Sequence, residues 1–154
     1  MKRQLTYEQA LFKAAALCTQ TEKCESDVRT KLVAWEMSES DINKIIRYLK
    51  EEKFLDDARY CSFFVKDKLR FNKWGKIKIG YALRAKKIDE DLIVGSLGQI
   101  DDEESFLTLL SILKTKSKNL KYKDEYDRKG KLIRFALSRG FEMSLITQAL
   151  KQFQ

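Results

Sequence analysis

One apolar pattern returns three times along this chain, and it constrains the fold more than any other feature. Take Met37, Ile88 and Phe141 as anchors, separated by 51 and 53 residues. Nine positions before each anchor stand Val28, Ile79 and Leu132, and five before stand Leu32, Leu83 and Ala136. Five after stand Ile42, Ile93 and Ile146; nine after, Ile46, Leu97 and Leu150; twelve after, Leu49, Ile100 and Phe153. The columns establish a shared architecture rather than a shared ancestry. Each set reads as a helix, a tight turn holding the anchor, and a second helix. In the first copy Val28, Leu32 and Trp35 make one stripe, and Ile42, Ile45, Ile46 and Leu49 make the next at i, i+3, i+4 and i+7.

A further helix precedes each pair, at about Tyr7–Thr19, Asp56–Phe71 and Glu103–Lys118. The expectation is an all-α chain of three tandem three-helix repeats, 1–54, 55–100 and 101–154. No unit alone buries much surface, so stacking them predicts a curved, elongated array with a concave side. The absence of proline and the presence of only six glycines agree with uninterrupted helices. Ser38 and Asp89, each next after an anchor, are positioned to cap the following helix. Asp56-Asp57 and Asp101-Asp102-Glu103-Glu104 place acids where helix N-termini favour them, and a break is expected around Asn119–Tyr122.

The chain has no histidine, which removes the Ser-His and Cys-His nucleophile pairs and the commonest zinc ligand. Cys18, Cys24 and Cys61 are odd in number and form no CxxC pair. No cofactor, metal or catalytic residue is expected. No apolar run approaches the roughly 18 residues of a membrane span. Met-Lys-Arg followed by polar Gln4, Thr6 and Glu8 is not signal-like, so reduced thiols in a cytoplasm are the simpler reading.

The net charge is +8, which points to an acidic or polyanionic partner. Residues 1–53 hold ten bases against nine acids, 54–100 ten against six, and 101–154 eleven against eight. The excess therefore lies in the later two thirds, and the first unit reads as nearly neutral. Between Lys66 and Lys87 nine bases face the single acid Asp67. The candidates for a partner or DNA contact are Lys66, Arg70, Lys73, Lys76, Lys78, Arg84, Lys86 and Lys87. Trp74, in a polar loop-like setting, is the candidate aromatic anchor, with packing between units as the alternative. Trp35 reads as core or inter-unit packing. The lysine run from Lys114 to Lys123 reads as a solvated helix face.

At Leu55-Asp56-Asp57-Ala58-Arg59-Tyr60 the sequence resembles the RecX family, bacterial regulators of the RecA recombinase. The basic segment with Gly75, Ile79, Leu83 and Lys86-Lys87-Ile88 continues the resemblance, as do Lys131-Leu132-Ile133-Arg134-Phe135 and Arg139-Gly140-Phe141. The family commonly has a glycine just before each anchor. Here only Gly140 keeps it, with Glu36 and Lys87 at the other two, where a left-handed turn costs a non-glycine residue about 1–2 kcal/mol. The resemblance implies a monomeric, non-enzymatic modulator that binds RecA and the groove of its filament on single-stranded DNA. It implies effects on ATP hydrolysis, strand exchange and stimulated repressor cleavage in DNA repair and the SOS response.

Two other classes fit the residues alone. A stand-alone DNA-binding helical protein would read bases through pairs such as Lys76–Leu97 and show sequence preference. A helical-repeat scaffold would use its charge only for solubility. Reversing Lys76, Lys78, Arg84 and Lys86 to Glu separates the scaffold from the modulator.

Overall fold

The computed structural model describes residues 4–153, so Met1, Lys2 and Arg3 of the N-terminal reading lie outside it. Among the described residues there are nine α-helices and no strand. They are α1 (Tyr7–Gln20), α2 (Glu25–Ala34), α3 (Glu39–Glu51), α4 (Asp57–Arg70), α5 (Lys76–Ala85), α6 (Glu90–Gly98), α7 (Asp102–Lys118), α8 (Glu125–Ser138) and α9 (Met143–Lys151). Short side chains start most of them. Thr6 and Gln9 form a capping box on α1, Ser38 accepts from the Asp41 amide, and Asp89 accepts from the Asp91 amide. Asp101 and Asp124 do the same for α7 and α8. Each cap satisfies an amide that the helix leaves unpaired.

The helices group as triplets, each around its own apolar cluster. The first holds Val28, Leu32, Ile42, Ile45, Ile46 and Leu49. The second holds Ile79, Leu83, Ile88 and Ile93, and the third Leu132, Ala136, Phe141 and Ile146. All three anchors are buried, as are the columns nine and five before them and five after. Toward the chain end the pattern loosens, since Leu150 and Phe153 are half-buried where Ile46 and Leu49 are buried. Phe63 of α4 lies off the core face. It is 62% exposed, because the core face runs through Tyr60, Cys61, Val65 and Leu69, and position 63 falls outside that row.

The chain exposes 10176 Å², whereas a compact monomer of 18.1 kDa exposes about 8,100 Å². Surface in excess by about a quarter of the compact value is what stacking small units in a row produces.

The three anchor turns share one geometry. Glu36 (φ 61°), Lys87 (φ 58°) and Gly140 (φ 90°) are all left-handed. Their amides donate at 2.9 Å to Val33, Arg84 and Leu137 respectively. The non-glycine residues at two of these turns therefore carry strain and do not change the turn.

Candidate partner-binding surface

The nine sequence-predicted residues are spread over the end of α4, the α4–α5 loop, α5 and the turn after it. The structure divides them into engaged and unengaged groups. Arg70 pairs with Glu104 at 3.1 Å and Lys76 with Asp102 at 3.2 Å, both reaching into the third triplet. Lys86 pairs with Asp27 at 2.7 Å, reaching into the first. Arg84 binds both carboxylate oxygens of Glu90 within its own triplet. The remaining lysines of the set form no ion pair among the described residues: Lys66, Lys73 and Lys87 are exposed, while Lys78 lies on an aromatic ring.

That ring is Trp74. It is half-buried and packs on the second core cluster, with Lys78 Nζ 4.6 Å and Lys68 Nζ 5.1 Å from its centroid. Two ammonium groups over one indole are held by its quadrupole and keep positive charge fixed at a single place. Trp74 thus combines core packing with a cationic frame. Sequence reasoning had left Lys68 out of the set. The Trp74 amide donates to the Lys68 carbonyl, a loop closure with no signature in residue types. Trp35 packs on the first core as expected, beneath Lys13.

The N-terminus of α5 has no side-chain cap, and Lys76 and Lys78 stand in its first turn, where the helix dipole disfavours cations. Its location resolves the conflict. The Gly75 amide donates to the Arg139 carbonyl at 2.7 Å and the Ile77 amide to the Gly140 carbonyl at 3.0 Å. These carbonyls lie at the C-terminal end of α8, so a positive helix end meets a negative one. Contact this close requires glycine on both sides. A Cβ on Gly75 would lie 2.4 Å from the Gly140 oxygen, and one on Gly140 would lie 2.3 Å from Lys78 Cβ.

The first and second triplets meet differently, through the Leu55–Tyr60 motif. Asp56 caps α4 by accepting from the Arg59 amide. Asp57 accepts from the Glu25 amide at the start of α2. The Arg59 guanidinium donates to Glu22 at 2.8 Å and to the carbonyls of Lys53 and Phe54. Arg59 therefore ties the linker between triplets to the α1–α2 loop. Burial pushes the Asp27 carboxyl up, but hydrogen bonds from Lys86 and the Cys24 amide outweigh it and hold its pKa below the ordinary value. The bond to Asp27 holds the Lys86 ammonium above its own.

Beside this meeting point runs a groove of about 750 Å³. Its rim includes Lys23, Arg29 and Lys31 of the first triplet as well as Lys86 and Lys87. The reading of the first unit as nearly neutral missed these residues. Summed charge over a unit hides which cations its acids engage: Glu22, Glu25 and Asp27 pair with Arg59, Lys50 and Lys86 and leave Lys23 and Lys31 without an ion pair among the described residues.

Burial pushes all three cysteine thiols up, which keeps them protonated and poor nucleophiles. Among the described residues no helix is long and apolar enough to cross a membrane, and no group of three or more acidic or thiol side chains is placed to hold a metal.

Two family models match the chain: RecX, second three-helix domain, over residues 56–95, and RecX, third three-helix domain, over 102–150. Regulatory protein RecX of Clostridium acetobutylicum is 33% identical over 150 residues, covering 95% of this chain and 69% of that protein. The namesake from Clostridium beijerinckii is 36% identical over 141 residues, covering 90% and 65%. That from Clostridium perfringens is 38% identical over 123 residues, covering 79% and 57%. The chain thus spans 57% to 69% of the length of these three relatives. The crystal structure of RecX from Lactobacillus salivarius has the same fold, with a TM-score of 0.86 over 95% of both chains at 17% identity. With two domain matches in tandem and a one-third-identical relative aligned over 95% of this chain and 69% of that relative, this chain belongs to the RecX family.

Proposed function

We propose that this chain regulates the RecA recombinase by binding it and its filament on single-stranded DNA. It acts without chemistry of its own and chiefly lowers RecA's ATP hydrolysis, strand exchange and coprotease activity. The three repeats 1–54, 55–100 and 101–154 present one elongated surface able to touch neighbouring protomers of a helical filament. Relatives named regulatory proteins support this reading, as does the net charge of +8. The observation that carries it is a set of cations in the second repeat without an ion pair among the described residues: Lys68 and Lys78 fixed on the Trp74 ring, with Lys66 on α4 and Lys73 in the α4–α5 loop exposed. Their charge is available to an acidic protein surface or to phosphate, and the contact is steered by charge and weakened by salt.

The test is a titration of RecA's DNA-dependent ATPase at low salt. The activity falls at amounts well below one chain per RecA protomer, and no change rejects the proposal. Lys66→Glu with Lys73→Glu should remove the effect without altering thermal unfolding. These two positions suit the purpose better than Lys76, Arg84 and Lys86, whose reversal also breaks ion pairs within the chain.

A further inference from the structure

Corresponding residues build the two places where triplets meet. Counted back from the anchors, Cys24 answers to Gly75, and Lys86-Lys87 answer to Arg139-Gly140. Between the second and third triplets the glycines let backbone touch backbone. Between the first and second, both glycine positions carry side chains. No backbone hydrogen bond joins 24–27 to 86–87 among the described residues, and the Lys86–Asp27 ion pair bridges the gap. The groove of about 750 Å³ is the space left open.

Its lining has two characters. Leu17, Val33 and Ala85 give it apolar surface, and Val33 is 63% exposed although no core claims it. Around these stand Lys23, Lys31 and Lys87, none in an ion pair among the described residues. Asp27 is the sole acid in the lining, and Lys86 already neutralises it. Nucleic acid is a poor match, because single strands bind on aromatic platforms and this lining holds no aromatic residue.

We propose that this groove docks an acidic peptide segment of a partner protein, its carboxylates meeting Lys23, Lys31 and Lys87 while an aliphatic side chain covers Val33 and Ala85. Extended or helical peptides use this division of labour, with side-chain pockets for choice and charge for steering. The inference stands apart from the RecA reading, since it concerns a surface centred on the first triplet.

The experiment is fluorescence anisotropy with the full chain and three labelled probes: a short peptide alternating glutamate with leucine, an all-glutamate peptide of equal charge, and an oligothymidylate. The mixed peptide should bind about fivefold or more tighter than the all-glutamate one. Lys31→Glu with Lys87→Glu should weaken it about tenfold or more. Val33→Ser, an exposed change that the fold tolerates, should abolish the preference for leucine. Lys66→Glu with Lys73→Glu should leave binding intact while removing RecA inhibition, which keeps the two proposals distinguishable. Equal binding of the two peptides, or tighter binding of oligothymidylate lost through the same lysines, overturns the inference. So does absence of binding by the mixed peptide.

Discussion

Gly140→Ala tests how the second and third triplets are held together. The change adds one methyl at a residue with φ 90°, where an L side chain costs about 1–2 kcal/mol. The methyl would lie 2.3 Å from Lys78 Cβ and 2.5 Å from the Lys78 amide nitrogen, against about 3.5–4.0 Å for comfortable carbon contact. Lys78 sits in the first turn of α5, so relief requires moving helix backbone rather than rotating a side chain. That movement either overpacks the contact, at about 1–3 kcal/mol, or stretches the Gly75–Arg139 and Ile77–Gly140 hydrogen bonds at about 0.5–1.5 kcal/mol each. The total loss is about 2–5 kcal/mol, read as a lower urea midpoint with helical circular dichroism. If α7–α9 come loose, the transition also broadens, because units coupled through a weak interface unfold separately. Gly95→Ala is the control. It lies within α6 with nothing within 4 Å of the added carbon, so it should stabilise by about 0.5–1 kcal/mol. A Gly140→Ala protein as stable as the parent within about 0.5 kcal/mol refutes the close-contact account of this interface.

Lys87→Gly and Glu36→Gly relieve left-handed strain at exposed helix ends, and each should raise the urea midpoint by roughly 0.5–1 kcal/mol equivalent; unchanged or lower midpoints contradict the shared turn geometry. Asp27→Asn tests the Lys86 pair: a carboxyl with a depressed folded pKa stabilises above its unfolded value near 3.9 and stops doing so as pH falls through the folded value. Lys86, whose pKa is raised, contributes below about 10.4 and stops as pH rises through its folded value. The parent should therefore exceed the variant by about 1 kcal/mol at neutral pH, a gap that closes in acid below about pH 4, and a pH-independent gap refutes the assignment. Leu83→Ala removes a fully buried side chain and should cost about 2–5 kcal/mol in chemical unfolding; an unaltered midpoint contradicts its place in the core.

The helices and their cores were legible because burial repeats at helical spacing. Val28, Ile79 and Leu132 share a column, and all three are buried. Phe63 stands beside Phe64 in an apolar run yet is exposed, since composition does not assign a face. The candidate surface was harder to read. Nothing near Lys76 in sequence announces Asp102, 26 positions away, and nothing near Lys86 announces Asp27, 59 positions away. Charge is countable in a sequence, whereas its internal engagement depends on which triplet edge meets which. The same limit concealed Lys23 and Lys31, whose neighbours Glu22, Glu25 and Asp27 cancel them in a count but bind Arg59, Lys50 and Lys86 instead.

The contrast between the two interfaces follows from glycine placement and bears on what each can do. Where Gly75 and Gly140 allow backbone contact, peptide hydrogen bonds join the triplets alongside the Arg70–Glu104 and Lys76–Asp102 pairs. Where Cys24 and Lys87 stand instead, the triplets are held by Cys24 buried in the second core, by Asp57 on the Glu25 amide, by Arg59 on Glu22 and by the Lys86–Asp27 pair. Half-exposed ion pairs of this kind are screened within a Debye length of about 8 Å at physiological salt. Both interfaces accordingly carry screened ion pairs, and the one between the second and third triplets adds direct backbone contact. A carboxylate-bearing partner entering the groove would meet cations at the interface that lacks those backbone hydrogen bonds, and its binding should weaken with salt. Replacing Lys87 and Cys24 with glycine does not by itself convert one interface into the other, because Asp27 stands where Lys78 packs on Gly140. The difference is written into several residues together, which suits two interfaces with separate tasks.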